Sequence, residues 1–528
     1  MPLKKLNLYF QTLKHVKPTQ LYHQVYYRLK NGFFKKLYQG KPEQVVQLRL
    51  KPGILYPNSY SGNKKFSFLN LEKSFSEIDW NFSKFGKLWI YNLNYFEFLN
   101  QEKITKEQGL ELIQDYISKK EILKDGFEPY PISLRGINWI KFLAKYRIED
   151  QQVKEFLYTD YLRLSANLEY HLLANHLLEN GFSLLFGAYY FQDKNLYSKA
   201  KEILTHQLSE QILADGAHYE LSPMYHQIIL HRVLDCLNLL ENNKWKADEL
   251  ENLLHTKAEN MMGWLEAITF KNEEIPKLND SICGIAPNTK EILTYAASLR
   301  LKSNTVQLKD SGYRKFEFEE LEILMDVGQI APKYQPGHSH ADSLQFLLNY
   351  RNQPVIVDTG ISTYEKNERR QLERSTSSHN TVSINDQNSS QVWGGFRVAR
   401  RAKATLLNET ATLIAASHNG YRKLGFSHER VFTIKENTFQ VEDKILQNGN
   451  RSFEAKGHLH FHPEVQLEIS GNTVIVNREL KLQFTDAIDL QIMEYQFAEG
   501  FNKLKSAKKL VYSFKNEAGF FIKPFSID

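Results

Sequence analysis

Cysteine is almost missing: Cys236 and Cys283 are the only two in 528 residues, which excludes a fold stapled by a disulfide framework. No apolar run approaches the roughly 20 residues that a membrane-spanning helix needs, so no transmembrane segment is expected. Charge of one sign is also scarce. The chain carries 67 basic and 61 acidic residues, a net +6, which is too diffuse for a nucleic-acid binder but leaves a polyanionic substrate open. The first residues, "MPLKKLNLYFQTLKHVKPTQ", lack both an uninterrupted apolar segment and a small-residue cleavage site. Cytoplasmic residence is therefore expected, with a periplasmic location open if the start is incomplete. One absence is local: no Asp or Glu precedes Glu43, while nine Lys or Arg do. Residues 1–60 read as a basic helical arm packed through its Leu and Tyr residues, with peripheral contact to an anionic surface as the alternative.

What is present divides by period. The length calls for two or three domains, and neither an internal repeat nor a low-complexity tract interrupts it. From about Ile104 to Leu301 the pattern is helical. In "LSPMYHQIILHRVLDCLNLLE", Ser222 is a candidate N-cap, Pro223 fits the first helical position, and Ile229, Val233, Leu237 and Leu240 form one apolar stripe. Tyr225 then falls in the first turn. "LSANLEYHLLANHLLENGFSLLFGAYYF" reads as a nearly continuous helix broken near Asn180 and Gly181, with Asn175 mid-helix and on one face with Glu179. After about Ser311 the period becomes two, in short β-rich runs such as "SLQFLLNY", "PVIVDTG" and "NTVIVN". The expected fold is multidomain α+β: an α/α array over residues 61–310 followed by an antiparallel β-sandwich over 311–528. Aromatics reach 13 %, a richness that serves sugar stacking as well as core filling.

"PGHSHADSLQFLLNYRNQPVIVDTG" holds the densest chemistry. His338 and His340 flank Ser339, so an extended backbone points both rings to one face. A hairpin closed at "RNQ" returns Asp358 toward His340, and His379 opens a later strand. His340, Asp358 and His379 offer a donor set for one zinc-class ion with an open position, or a hydrogen-bonded polar cluster at the sheet edge. His458, His460 and His462 alternate along one strand and imitate a metal cluster, but no carboxylate accompanies them at suitable spacing.

The segments "GHSHADSLQF", "VIVDTG" and "STSSHNTV" together resemble the β-domain signature of the heparinase II/III-like polysaccharide lyases, a family that includes oligoalginate lyases. "LLANHLLENGF", "ADGAHYELSPMYHQ" and "YPISLRGINWIKF" resemble motifs of that family's helical half. The resemblance implies an incomplete α/α toroid, a following β-sandwich and a cleft between them. It makes Asn175, with His176 beside it, the group facing a uronate carboxylate, Tyr225 the catalytic tyrosine and His338 the catalytic histidine. It also makes His340, Asp358 and His379 the ligands of one structural zinc.

Such a lyase removes the C5 proton of a uronic acid and expels the C4 oxygen, so the carboxylate must be neutralised before a base can act. Arg135, Asn138, Glu179 and His226 are candidate substrate-binding or orienting groups, and His226, Arg135 or His338 is expected to lower the Tyr225 pKa. The expected substrate is an acidic polysaccharide, heparan-type glycosaminoglycan first. Two alternatives stand beside it: action on the cell's own surface polysaccharide, as lyase or as non-catalytic binder, and hydrolysis by Glu179 and Glu220.

Overall fold

Ser222 accepts from the Tyr225 backbone N–H and Pro223 occupies the first turn of the helix Pro223–Asn242, as cap chemistry predicts. The computed structural model describes residues 3–33, 38–246, 248–435, 438–449 and 451–525; residues 34–37 of the expected arm, with Lys35 and Lys36, lie outside them. Two arm helices, α1 (Leu3–Leu13) and α2 (Pro18–Phe33), precede the helical half. That half holds α3 (Lys87–Tyr95), α4 (Lys106–Ser118), α5 (Pro129–Tyr146), α6 (Gln151–Ala166), α7 (Ala174–Phe191), α8 (Lys194–Gln211), α9 (Pro223–Asn242), α10 (Glu249–Ile268) and α11 (Thr289–Ser298). α7 is central, packing on α5, α8 and α9, and nearly all of it is buried. This is an incomplete α/α toroid followed by an antiparallel β-sandwich.

The helix break differs from expectation. It lies at residues 167–173, and α7 runs unbroken through Asn180 and Gly181. Gly181 marks a close approach: a Cβ there would come within 2.8 Å of Ile203 and 3.0 Å of Leu204 on α8. Asn180 is buried and accepts from the Glu169 backbone N–H at 2.8 Å, so both residues serve packing and not a turn.

The β half begins at Tyr313 and, among the described residues, forms an eight-stranded sheet, two four-stranded sheets and a two-stranded ribbon, all antiparallel. One four-stranded sheet ends in the hairpin Phe346–Tyr350 to Gln353–Ile356. Its turn residues Arg351 and Asn352 have φ of 50° and 62°, the left-handed pair that matches strand twist in a tight hairpin. His458 and His460 lie buried on the strand Ala455–His460, where His458 Nε2 meets the Ser383 hydroxyl at 2.9 Å. A small apolar cluster joins the halves, with Trp264, Ile268 and Phe270 from the helical side against Tyr313, Leu324 and Leu347 from the sheets. Burial of that cluster holds the two domains in one fixed relation.

The arm packs in part as read from sequence, through Tyr9 and Tyr27, but four of its leucines turn outward. Its Leu6, Leu13, Leu21 and Leu29 face solvent, while Gln20 and Tyr27 bond to the toroid and Tyr9 meets Trp393 edge-on.

Candidate active site

Two helix N-termini converge on the domain junction. Asn175 is the second residue of α7, not a mid-helix residue, because Leu173 and Ala174 take φ of 60° and 54° and turn the chain into the helix there. Tyr225 is the third residue of α9, and Leu221 before its cap has φ of 54°. Left-handed backbone at non-glycine residues costs about 1–3 kcal/mol each and persists only where surrounding contacts over-determine it. The return is that two positive helix ends meet at one place, which favours an anion.

The β half supplies the facing group. His338 lies in the loop between the strands Leu321–Asp326 and Phe346–Tyr350. Its ring stands 3.9 Å from the Tyr225 ring, centroid to centroid. Nδ1 meets Asp280 Oδ2 at 2.9 Å, and Nε2 lies 3.8 Å from Glu220 Oε2. Glu220 in turn accepts from the Asn175 side-chain amide at 3.0 and 3.1 Å. Asn175, Tyr225 and His338, drawn from three segments, therefore share one cluster bridged by Glu220.

His176 stands at its open edge. Its Nδ1 meets Glu169 Oε1 at 3.0 Å, and the other Glu169 oxygen accepts from Asn180 at 3.0 Å. Burial works against the imidazolium, but the Glu169 charge and hydrogen bond outweigh it and raise the His176 pKa. The pairing is stabilising in full below the unfolded histidine value and is lost as pH rises through the raised folded value. Glu169→Gln is expected to lower that value, so the alkaline limb of kcat/KM moves to lower pH with the fold retained. An unmoved limb would detach His176 from the reaction.

Asp280, which the sequence did not single out, organises the junction. It receives both Arg370 Nη groups, at 2.5 and 2.6 Å, and pairs with His338 Nδ1 and with His340 Nε2 at 2.8 Å. Burial alone would raise its pKa, yet Arg370 and the two histidine hydrogen bonds hold it well below the carboxylate range. Its neighbours tie the halves together: the Ser222 hydroxyl donates to the Asp280 carbonyl at 2.8 Å, and the Asp280 N–H donates to the His338 carbonyl at 3.1 Å. Tyr364, also missed, brings its hydroxyl within 3.4 Å of the Tyr225 hydroxyl. "LNDSICG" around Asp280 has no periodicity or motif that would have marked it.

Four expected groups stand elsewhere. Arg135 is wholly buried and donates to Asp160 and the Gly126 carbonyl, a helix-packing ion pair in place of a sugar contact. Asn138 is buried and donates to the Tyr95 carbonyl at 2.9 Å. His226 accepts from the His218 N–H and meets the Met261 carbonyl at 3.0 Å. Burial pushes its pKa down to about 3, so it is a neutral interior imidazole. Glu179 is buried against Arg232 Nε at 3.2 Å, and burial raises its pKa. The Tyr225 hydroxyl also departs from expectation: burial first, with Asp280 and Glu220, raises its pKa, and the Tyr364 hydrogen bond and Arg370 oppose this only in part. Neither Arg135 nor His226 reaches it. A cavity of about 220 Å³ lined by Trp80, Asn81 and Lys119 contains none of these groups.

Around the expected metal set, His340 and His379 lie 5.2 Å apart, ring to ring. Asp358 Oδ2 meets His379 Nδ1 at 2.8 Å, and Asp358 Oδ1 accepts from the Gly360 N–H at 2.9 Å. His340 Nδ1 and His379 Nε2 are buried without a hydrogen-bond partner. Two imidazoles, each steadied by a carboxylate and each with one open nitrogen, have the donor chemistry of a zinc-class site. Among the described residues no three His, Cys, Asp or Glu stand together so that they could hold a metal ion; Asp358 stands behind His379.

The family description "Heparinase II/III N-terminus" matches residues 132–304, and "Heparinase II/III-like, C-terminal" matches residues 300–521. A heparin-sulfate lyase of Bacteroides stercoris is 22 % identical over 405 residues, covering 66 % of this chain. The chain spans 58 % of that relative's length. Among solved structures, a heparinase III superposes with a TM-score of 0.68 at 15 % identity, over 98 % of this chain and 94 % of the other. Heparan sulfate lyase from Pedobacter heparinus gives 0.56 at 16 % identity, over 88 % and 82 %. These superpositions speak to the fold.

Proposed function

The chain belongs to the heparinase II/III-like family, and from that premise we propose that it is a polysaccharide lyase. It would cleave uronic-acid-containing chains by β-elimination and leave a 4,5-unsaturated uronate end. The observation that carries this reading is the meeting of Asn175, Tyr225 and His338 at the junction of the two domains, with the Tyr225 and His338 rings 3.9 Å apart.

The proton at C5 is weakly acidic while the adjacent carboxylate keeps its full charge. An Asn175 amide N–H released from Glu220, the His176 imidazolium and the two helix N-termini would stabilise the developing enolate. With Nδ1 tied to Asp280, His338 has Nε2 free to take the C5 proton. Tyr225, kept a neutral phenol by burial, is then suited to protonate the departing O4. No hydrolytic water takes part. Glu179 is engaged with Arg232, which disfavours the paired-carboxylate hydrolysis considered above.

The substrate proposed first is heparan-type glycosaminoglycan, as the names of the similar proteins suggest. The protein is to be incubated with a panel of uronate polysaccharides while absorbance of the conjugated product is followed. Rising ultraviolet absorbance on one polymer supports elimination; new reducing ends without absorbance would establish hydrolysis, and neither signal would leave a binder.

One structural zinc is proposed with it, held by the open nitrogens of His340 and His379 with Asp358 orienting the latter. Such an ion would pin the loop that presents His338. Elemental analysis is expected to find about one zinc per chain, and His379→Ala to lose both the ion and thermal stability. Metal-free protein whose melting is unchanged by that substitution would reduce the set to a polar cluster. The basic arm is proposed to contact an anionic surface.

A further inference from the structure

The outer side of the arm has no part in the site. α2 holds the body by one face: Gln20 donates to the Leu172 carbonyl at 3.2 Å, Tyr27 to the Leu168 carbonyl, and His23 stacks on Tyr170 at 4.9 Å. Its other face carries Leu21, Val25 and Leu29 at i, i+4 and i+8, and they are 40, 57 and 55 % exposed. α1 repeats the arrangement. Thr12 accepts from Trp393 Nε1 at 3.1 Å, while Leu6, Phe10 and Leu13 are 56, 67 and 49 % exposed. An amphipathic helix ordinarily buries its apolar stripe; here Thr12, Gln20, His23 and Tyr27 bind the body while Leu, Val and Phe side chains meet water, the pattern of a surface awaiting an apolar partner.

We propose that α1 and α2 form an interfacial platform that sinks these stripes into the headgroup boundary of an anionic phospholipid membrane. This rests on the anionic-surface reading of the arm and not on the elimination chemistry. Charge and chemistry select the occupant. No acidic residue precedes Glu43, and Lys5, Lys14 and Arg28 are exposed beside the stripes. A polyanionic glycan would take those cations but offers nothing to cover Leu, Val and Phe. A second copy packed face to face would bring the same cations together across a two-fold axis. Anionic lipid satisfies both halves of the surface, acyl chains for the aliphatic groups and headgroups for the cations. Tyr22 and Tyr26, stacked at 6.1 Å and exposed, are residues that favour the interfacial zone. Among the described residues no helix is long and apolar enough to cross a membrane, so the platform lies on the bilayer. α2 also bonds the loop that carries Glu169, so docking would hold the His176 edge of the site at a set orientation to the membrane plane. That arrangement fits a polysaccharide tethered to the same surface.

The full chain is sedimented with phosphatidylcholine vesicles, with and without phosphatidylserine, in the absence of any polysaccharide. Pelleting is expected only with the anionic vesicles. Lys5→Gln, Lys14→Gln and Arg28→Gln together are expected to weaken it on the order of 100-fold, and Val25→Ser with Leu29→Ser at least about tenfold. Both variants keep the circular dichroism of the parent and any activity on soluble polymer. The proposal is overturned by wild-type protein that stays in solution. It is equally overturned by vesicle binding that ignores Val25→Ser with Leu29→Ser and yields to soluble heparin, which would mark a polyanion site. A concentration-dependent dimer in light scattering, dissolved by the same pair and without vesicle binding, would assign the face to self-association. Because no substrate enters the assay, failure of the lyase reading leaves this result standing.

Discussion

Tyr225→Phe is expected to lower kcat by roughly 10²–10⁴-fold, the usual worth of a positioned proton donor, while KM and melting temperature stay near the parent values. The substitution is conservative for the fold. The hydroxyl meets the Tyr364 hydroxyl at 3.4 Å, a long contact whose loss costs little, and the ring keeps its place against His338. The reaction loses the phenol held against His338, so the departing O4 would leave as an alkoxide. Burial raises the Tyr225 pKa from its ordinary 10.0, so no limb from tyrosine ionisation is expected in the pH profile below about pH 10. Full activity in the phenylalanine variant, read as unsaturated product, would remove the tyrosine from the mechanism.

Asp280→Asn should damage both stability and rate. The Arg370 guanidinium is fully buried against that carboxylate, and removing one partner of a buried pair costs about 3–5 kcal/mol because the other charge is stranded. Chemical denaturation should register that loss. The same carboxylate holds His338 Nδ1, so kcat should fall as well, through a ring free to turn and to take the wrong tautomer. Asp280 is a positioning residue in this account. A readout separates that role from plain destabilisation: adding Arg370→Gln to Asp280→Asn removes the stranded charge and should restore much of the stability, but none of the rate. Recovery of both together would mean that Asp280 acts on the fold alone.

The parts that could be read from sequence are those encoded by near neighbours. Ser222, Pro223 and Tyr225 sit within one helical turn, and capping chemistry specified their arrangement without help from the rest of the chain. The hairpin from Phe346 to Ile356 is likewise local, written in two short apolar runs and in the Arg351–Asn352 turn between them. Asn175 shows where local reading fails. A smooth helical pattern ran through it, and only the left-handed backbone at Leu173 and Ala174 set it at a helix end. Arg135, Asn138 and His226 failed for a related reason: polar residues in a motif look available for a substrate, yet each found its hydrogen-bond partners inside the protein.

What the sequence by itself determined was the order of the two architectures, the helix starts, the strand hairpins and the motifs that mark the family. All of these follow from periodicity and from groups a few residues apart. The tertiary structure alone decided which charges would meet. Asp280 joins His338 across 58 residues and Arg370 across 90, and Trp393 reaches back 381 residues to Thr12. No periodic pattern records such pairings, because they form only where burial leaves a charge or a donor no partner except one brought by the fold.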